Sequence, residues 1–548
     1  MKTKKILALT AITIVMFAVL FYIYLPALNI QTLNFYLFIG FVLFVPYLSS
    51  IISTIKLTQD QIGKSYQFSM SKNMPMAFRS FLAFILLIAL ISVGKIFFSP
   101  ILASNSYANR IEVATGNFNE DIAPVDLSNL PLLDKESTER VGDRVMGQLP
   151  ELISQFEVSN QYTQISYNGR LVRVTPLEYD GFFKWLGNRS DGSPGYIMVD
   201  STTGEADLIK LDKGMKYLNS SYLNENINRH IRFQFPTEIL STSVFEIDDE
   251  GNPYYITPVL SVKWVDMLPD VKGVIATNPV DGKSQYYSVA DAPTWIDHIY
   301  PSSLILSQVN DWGSFQDGWL NSFITQKNVR RTTTGYTYLS DSKDIFIYTG
   351  ITSAAADESN IGFILTNLRS KETRFFAAPG AEEYSAMRSA EGAVQEKGYT
   401  STFPLLINLN ERPTYLSSLK DSAGLVKSYA FVDVEDYQKV KVSDSNLGLD
   451  NAANEYLMMM GNEVVDKPQV TQEQSGIINT ISSVVVDGST YYYIILENQT
   501  DTIYKAPINI DDRLPFLAVG TKVNFNYNEN LVITSLESIE IPTEMPTE

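Results

Sequence analysis

Cysteine is absent from the 548 residues of this chain, and histidine occurs only twice, at His230 and His298. Without cysteine there is no disulfide framework, and no metal or catalytic site can use a thiolate. A catalytic triad or a histidine zinc site would need one of the two histidines, which lie on different predicted elements. No HExxH, GxSxG, Walker A or GxGxxG motif stands in the setting that its chemistry requires. We therefore predict that the protein is not an enzyme and has no catalytic residue, metal site or cofactor.

Both histidines have ordinary explanations. His230 lies between basic neighbours at the end of a predicted helix, which is typical of a capping or surface residue. Asp297 is a candidate charge partner for His298, but adjacent residues of a helix do not face each other. We interpret both histidines as structural or surface residues.

Charged residues are missing between Ile6 and Ile55, a stretch with lysines on both sides. About 20 apolar residues span a bilayer core of about 30 Å. We therefore predict an anchor over residues 1–100 with spans at residues 6–25, 35–55 and 81–98. A cleaved signal peptide is the alternative for the first span, but its apolar run is long and no small-residue cleavage site follows it.

Lysine and arginine are distributed unevenly around these spans. The N-terminus and the loop 56–79 carry seven of them, whereas the connector 26–34 carries none. By the positive-inside rule the first two segments are cytoplasmic, and everything after Phe98 is extracytoplasmic. The predicted location is a bacterial cytoplasmic membrane, with the lipid bilayer as one partner and a large C-terminal domain outside.

Acidic residues dominate this external part. The first 100 residues hold eight Lys or Arg and one acid, so the net charge of −19 leaves about −26 for the remainder. Such a surface repels polyanions, which argues against nucleic acid as a partner. A large external chain without disulfides is also more typical of a Gram-positive envelope than of a eukaryotic exterior.

A hairpin pattern recurs after a polar, proline-containing linker at residues 101–133. Turn signals followed by alternating apolar residues, as in the second strand of a hairpin, occur near Asn168, Asp249 and Asn410. Second hairpin-like stretches begin at Gly195, Gly273 and Ser428, with a copy of this half alone at Gly362. Helical patterns precede the units. We predict α+β modules, each a helix followed by an antiparallel sheet and packed side by side, at residues 134–215, 216–292 and 383–460.

The second hairpin of the first module resembles the PepSY-like module of bacterial extracytoplasmic and membrane proteins. The matching residues are Gly195, Tyr196, Val199, Asp200, Thr203 and Gly204. A looser copy, which lacks the turn glycine, contains Tyr429, Val432 and Asp433. The resemblance implies a role in peptidase inhibition, propeptide-like chaperoning or interaction with envelope proteins.

Tryptophans cluster in a predicted helical insert with an extra hairpin at residues 293–382. Trp312, Phe315 and Trp319 are spaced i, i+3 and i+7, which places them on one helix face. Core packing is one explanation. A partner-binding or membrane-interface face is the other, because aromatic residues are enriched in both settings. These three are our candidate binding residues.

The segment 470–541 contains five short strand patterns, with a turn at Val486–Gly488 and a bend at Val519–Val523. It resembles an OB-fold, which is a small five-stranded barrel. Its only basic residues are Lys505, Arg513 and Lys522, which is too few for a nucleic-acid groove, so a protein or glycan contact or a structural cap is expected. Residues 542–548 are predicted to be a disordered tail.

The predicted fold class is therefore α+β: a three-helix transmembrane anchor, tandem PepSY-like modules and a C-terminal barrel. The predicted function is a membrane-anchored binding or scaffold protein that contacts other envelope proteins through sheet edges and aromatic patches. Glycines in the spans would also permit a homo-oligomer. Two alternatives stay open. One is an envelope hydrolase with a carboxylate pair in a cleft, and the other is an accessory subunit of a transport or signalling complex.

Overall fold

The computed structural model of the protein describes residues 2–59, 66–70, 76–122, 124, 127, 130–340, 343–354, 359–461, 472–486, 489–528 and 531–540. In this part of the chain, helices alternate with several separate, mostly antiparallel sheets. The predicted α+β class is confirmed. The predicted tail at 542–548 lies outside the described residues.

The N-terminal part consists of three helices and one hairpin. The helices are α1 (Lys2–Tyr24), α2 (Leu33–Thr54) and α3 (Met76–Phe97). Between α2 and α3 the backbone forms a hairpin of β1 (Ile55–Gln59) and β2 (Tyr66–Met70). Residues 60–65 and 71–75 of the predicted cytoplasmic loop lie outside the described part.

Within the described residues, no single helix combines the length and the apolarity that crossing a membrane requires. The helices Phe81–Phe97 and Pro100–Ala108, bent by 55° relative to each other, meet that requirement only as a pair. The anchor of three spans stays a prediction.

Apolar side chains cover both the inside and the outside of this helical part. Phe21, Phe38 and Val42 are buried between α1 and α2. On the outside, Ile14 and Leu86 are 63% and 62% exposed. Large apolar side chains on both faces are unusual for a helix of a globular domain, which has one polar face.

The predicted linker at 101–133 contains three short elements among its described residues. They are α4 (Pro100–Ala108), β3 (Val113–Gly116) and α5 (Phe118–Asp121). β3 pairs in parallel with the last strand of a sheet that is formed much later in the chain.

Four successive sheets share one strand order. In each, two short strands pair with the same long strand, and two further strands follow as a meander. Sheet I consists of β4 (Phe156–Val158), β5 (Thr163–Tyr167), β6 (Arg170–Tyr179), β7 (Ser193–Asp200) and β8 (Ala206–Met215). Sheet II consists of β9 (Ile239–Leu240), β10 (Val244–Ile247), β11 (Pro253–Ser261), β12 (Asp270–Thr277) and β13 (Ser284–Ser288).

The other two sheets repeat this arrangement. Sheet III consists of β14 (Arg330–Thr332), β15 (Thr337–Ser340), β16 (Ile345–Ser353), β17 (Ser359–Asn367) and β18 (Thr373–Ala381), with β3 added at its edge. Sheet IV consists of β19 (Thr400–Ser401), β20 (Leu405–Leu409), β21 (Arg412–Lys420), β22 (Val426–Asp433) and β23 (Val440–Asp444).

A helix precedes each sheet. α6 (Lys135–Gly147) and the short α7 (Pro150–Ile153) precede sheet I, and α8 (Phe182–Asn188) is inserted within it. The helices before sheets II, III and IV are α9 (Ile227–Gln234), α10 (Ser302–Phe315) with the single turn α11 (Gly318–Leu320), and α12 (Glu383–Gly392). The segment 293–382, which was expected to hold a helical insert and one hairpin, thus contains a helix and a complete sheet of the shared order.

Two-residue turns fix the register of the predicted hairpins. Asn168 and Gly169 connect β5 to β6 with φ of 51° and 74°, and Asn410 and Glu411 connect β20 to β21 with φ of 53° and 64°. Positive φ at both central residues defines a type I′ turn, whose twist matches that of paired strands. The hairpins predicted at these positions are confirmed.

The described chain divides into two compact units. The first runs from the N-terminus to Ser389 and also includes Thr402–Ser418 and Val432–Lys439. Its larger buried clusters include one around Trp185, Tyr196 and Ile231 and another around Ile256, Ile305 and Ile364.

The second unit includes α13 (Leu449–Met459) and a C-terminal sheet. Its strands are β24 (Gln472–Val486), β25 (Ser489–Leu496), β26 (Gln499–Pro507), β27 (Lys522–Tyr527) and β28 (Ile533–Glu540), in the order β26-β25-β24-β27-β28. Closing such a sheet needs a continuous ladder between its edges, but in the described residues the edges meet only at a parallel bridge between Lys505 and Val532. The prediction of a closed barrel is wrong. Two residues of the predicted turn at Val486–Gly488 lie outside the described part.

Candidate functional site

The three candidate aromatic residues do not share one helix face. Trp312 and Phe315 lie on α10, which ends at Phe315. Gly318 then adopts a φ of 84°, and Trp319 lies on the separate turn α11. The spacing i, i+3, i+7 therefore spans a break in the helix.

Trp312 and Phe315 pack against neighbouring elements. The Trp312 ring lies 6.2 Å from the Phe375 ring, and the Arg330 guanidinium is 5.5 Å from the Trp312 ring centre. The Phe315 ring meets Tyr107 edge-on at 5.8 Å. These contacts agree with the core-packing explanation for both residues.

Trp319 begins an exposed apolar surface. Its ring stacks on Phe323 at 5.9 Å, and Leu320, Phe323 and Ile324 are all more than 60% exposed. α11 contacts α4, where Ile101 and Leu102 are 54% and 59% exposed. We call Ile101, Leu102, Leu320, Phe323 and Ile324 the apolar rim. Because α4 follows α3 directly, the rim lies beside the end of α3.

Hydrogen bonds fix the connector between α1 and α2 to loops beside sheet II. The Asn29 side-chain amide donates to the carbonyl of Thr237 at 2.9 Å. The Leu33 amide donates to Oδ2 of Asp266 at 2.9 Å, and the Asp266 amide donates to the carbonyl of Gln31 at 3.0 Å. The connector therefore meets these loops through polar contacts.

Cationic and aromatic contacts continue this attachment at the helix ends. Arg229 donates from Nε to the carbonyl of Tyr22, and its guanidinium lies 4.2 Å from the Tyr22 ring centre. Trp264 stacks on Phe98, just beyond α3, at 5.5 Å and with an interplanar angle of 4°. The ends of α1 and α3 thus meet the same module.

Both histidines have partners that the sequence did not predict. His230 lies within α9, where its Nε2 is 2.7 Å from the carbonyl of Gly282 and its ring packs on Tyr217. His298 is 7% exposed, and its Nδ1 lies 2.9 Å from Oε1 of Glu246 on β10. The charge partner of His298 is therefore Glu246, not the adjacent Asp297.

Asp297 belongs to the same buried cluster, which joins three sheets. Its Oδ2 accepts from the Ser166 amide of β5 at 2.7 Å, and its Oδ1 accepts from Nη2 of Arg369 at 3.0 Å. Burial, followed by the nearby Glu246 carboxylate, raises the pKa of Asp297 to about 7. Burial alone would lower the pKa of His298, but the hydrogen bond to Glu246 and its charge outweigh this and raise it.

The geometry of the acid pair Glu246 and Asp297 indicates a structural role. Glu246 is fully buried and Asp297 is 1% exposed. Oε1 of Glu246 accepts from the His298 amide and Oε2 accepts from the Asp297 amide, both at 3.0 Å. All four carboxylate oxygens of the pair thus have donors within the protein, whereas a hydrolytic pair needs oxygens that face a substrate or a water.

A cavity of about 240 Å³ lies where sheets I and III and the strand pair β20–β21 come together. Apolar and aromatic side chains form much of its wall, among them Leu133, Tyr336 and Phe403. Its polar lining includes Gln164 and Arg173, which are directly opposite each other in the β5–β6 hairpin. We call this cavity the inter-sheet cleft. No sequence motif marks these two residues, although the Asn168–Gly169 turn fixes their pairing.

No protein-family model and no curated protein matches the chain. Among solved structures, the extracellular domain of a putative one-component system from B. thetaiotaomicron is similar with 10% sequence identity and a TM-score of 0.12. The match covers 70% of this chain and 36% of that one, so this chain spans little more than a third of that domain's length. Similarity at this level assigns neither a fold nor a function.

Proposed function

We propose that the protein is a membrane-anchored extracytoplasmic binding protein of a bacterial envelope. In this proposal the helices α1–α3 form the anchor, sheets I–IV are PepSY-like modules, and the C-terminal sheet is an open OB-like cap. The modules would act as a scaffold, chaperone or inhibitor for envelope proteins, and the inter-sheet cleft would hold a ligand.

The proposed anchor is supported by the distribution of apolar side chains and polar contacts on the helices. Where their side chains are described, the helices expose many apolar side chains, and hydrogen bonds begin where the connector 26–34 meets the loops beside sheet II. Exposed apolar area of this extent is typical of a surface that meets lipid or a partner. The apolar rim lies beside the end of α3. Aromatic residues such as Trp319 suit the interface between lipid and water.

The hydrolase alternative finds no support in the acid pair described above. Both carboxylates are buried, and each of their oxygens accepts a hydrogen bond from the protein. These hydrogen bonds connect sheets I, II and III. A binding role requires no such reactive group.

The absence of cysteine permits a direct test of the anchor in intact cells. Thr203→Cys places one thiol on the exposed turn between β7 and β8, and Lys4→Cys places one at the N-terminus. We expect a membrane-impermeant maleimide to label Thr203→Cys in intact cells and Lys4→Cys only after lysis. Both variants should stay in the membrane pellet after carbonate extraction. Protection of Thr203→Cys until lysis, or release by carbonate, would contradict the proposal.

A further inference from the structure

The inter-sheet cleft has an unusual cation in its polar lining. Arg173 is 9% exposed, and its Nε and Nη2 both donate to Oε1 of Gln164, at 3.0 and 2.9 Å. Its Nη1 donates to Oγ1 of Thr138 at 3.2 Å. All three contacts are to neutral oxygens. Burial lowers the pKa of Arg173 to about 10, so the guanidinium stays charged at neutral pH.

Two partly buried arginines of the same unit have acidic partners, whereas the buried Arg232 donates to the backbone carbonyls of Phe235 and Glu238. Arg110 pairs with Asp311, and Arg369 pairs with both Asp297 and Asp344. Among the described residues, no carboxylate oxygen lies within 4.0 Å of the Arg173 guanidinium. The charges of Asp134 and Glu139 act on Arg173 only from beyond this distance. A buried cation without a directly paired carboxylate is costly, and a guanidinium is well suited to pair with a planar carboxylate through two hydrogen bonds.

Gln164 supplies a second, independent indication. Its side chain is 3% exposed and lines the cleft, and its Nε2 has no hydrogen-bond partner among the described residues. The orientation of this amide is fixed, because its Oε1 already accepts from Arg173. A buried N–H donor without an acceptor is rare in native proteins, since it loses its hydration without compensation. An acceptor from a ligand in the cleft would satisfy it.

The rest of the lining limits the ligand. Asp134 also lines the cleft, and its Oδ1 accepts from the Ser137 amide. The Asp134 carboxylate already places one negative charge near Arg173. It therefore repels a phosphate or a dicarboxylate, which carries more negative charge, more strongly than it repels a monocarboxylate. The wall formed by Leu132, Leu133, Phe403, Leu405 and Leu416 suits an apolar body. Since an apolar cavity of about 150 Å³ holds one benzene ring, a volume of about 240 Å³ leaves space for a ring and a carboxylate.

We propose that the inter-sheet cleft binds a monocarboxylate with an apolar body, whose carboxylate accepts hydrogen bonds from Arg173 and from Nε2 of Gln164. This inference rests on the proposed binding function and names its ligand class. The carboxylate belongs either to a free organic acid or to the C-terminus of a peptide.

The probe is 4-fluorophenylacetate, followed by fluorine NMR with the full chain in nanodiscs. 4-Fluorophenylacetamide is its neutral match of nearly the same shape. We expect saturable broadening of the carboxylate signal, and at least about tenfold weaker binding of the amide, because a charge-assisted pair is lost. Equal affinity for the two probes, or no binding of the carboxylate up to tens of millimolar, would overturn the proposal.

Substitutions locate the site. Arg173→Met should weaken carboxylate binding at least about tenfold, and Gln164→Leu should weaken it about three- to tenfold, as expected for loss of one hydrogen bond. Arg170→Met is the matched control, because Arg170 lies on the same strand but has an exposed side chain outside the cleft. Unchanged affinity in either cleft variant contradicts the assignment. If Arg173→Met does not fold, Gln164→Leu decides it, provided that its circular dichroism matches that of the parent.

Two further comparisons distinguish a free acid from a peptide C-terminus, and failure of the anchor from failure of the carboxylate site. N-acetyl-alanyl-4-fluorophenylalanine presents a peptide C-terminus. Tighter binding of this peptide than of 4-fluorophenylacetate supports a peptide ligand, and the reverse supports a free acid. The cysteine labelling experiment is independent of this assay. Its failure would remove the membrane anchor and leave a carboxylate site, whereas failure of the probe would remove the site and leave the anchor.

Discussion

At the scale of single residues, the most informative group is the buried cluster of Glu246, Asp297 and His298. Its two carboxylates accept hydrogen bonds from backbone amides, from His298 and from Arg369. Burial disfavours the charged form of Asp297, and the neighbouring Glu246 carboxylate disfavours it further. Asp297 therefore holds its proton more tightly in the folded protein than in the unfolded chain.

This predicts a direction for the dependence of stability on pH. Between about pH 4, where an unfolded aspartate titrates, and about pH 7, where Asp297 titrates in the fold, the folded state binds more protons. The Asp297 contribution therefore falls as the pH rises through this window. We expect Asp297→Asn, which mimics the neutral form, to flatten the decline of the melting temperature between pH 4.5 and 7.5. Melting curves across this range measure the effect.

Asp291→Asn, on an exposed turn, is the control for this experiment and should leave the slope unchanged. A slope in Asp297→Asn as steep as in the parent would show that the proton of Asp297 is not the source.

At the scale of elements, the hairpins could be predicted from the sequence because each turn is formed by two adjacent residues. Asn168-Gly169 adopts the positive φ values that these residues tolerate, and the turn then fixes every cross-strand pair of β5 and β6, including Gln164 with Arg173. The pairing of His298 with Glu246 could not be predicted in this way, because it depends on packing between residues about 50 positions apart.

The helix α10 agrees with the predicted helical stretch, but the segment that follows it differs from the prediction for a related reason. Its spacing of apolar residues is that of a helix, and spacing does not show whether the next segment forms a sheet of its own. The strands β14 to β16 contain Arg330, Arg331 and several Thr and Tyr residues, which obscure the alternation. The break at Gly318 was also invisible to a pattern that counts only aromatic positions.

Gly195, part of the PepSY-like motif, has a role that a substitution can test. A Cβ added there would lie 2.0 Å from the backbone carbonyl oxygen of Ile209, at the irregular register between β7 and β8. Because a backbone atom cannot move aside cheaply, we expect Gly195→Ala to lower the free energy of unfolding by about 2–3 kcal/mol. Urea denaturation measures it.

The matched control for this substitution is Gly187→Ala in α8, where an added Cβ meets no atom within 4 Å. Since alanine is the better helix former, this change should stabilise the protein by up to about 1 kcal/mol. A similar loss in both variants would contradict a steric role for Gly195.

At the scale of the whole molecule, the two compact units set the pattern of unfolding. Proteins with more than one unit commonly depart from a single cooperative transition. Phe525 is fully buried in the core of the C-terminal sheet, where it meets Tyr504 edge-on at 4.9 Å.

Phe525→Ala should therefore destabilise the unit that contains it by about 3–5 kcal/mol. In differential scanning calorimetry of the full chain, we expect one transition to move to lower temperature while the other stays within about a degree. Phe516→Ala, whose side chain is 76% exposed, should leave both in place. A single transition that moves as a whole would show that the units unfold together.

The parallel pairing of β3 with β18 has a consequence for the order of events during synthesis. β3 precedes all four modules, yet its ladder partner begins at Thr373. The segment Val113–Gly116 therefore emerges long before its partner strand is made, and its edge groups stay open until sheet III is complete. Contacts between such distant positions form late. A ribosome stalled before Thr373 would thus present a nascent chain in which sheets I and II can fold while the β3 segment is still accessible to a protease.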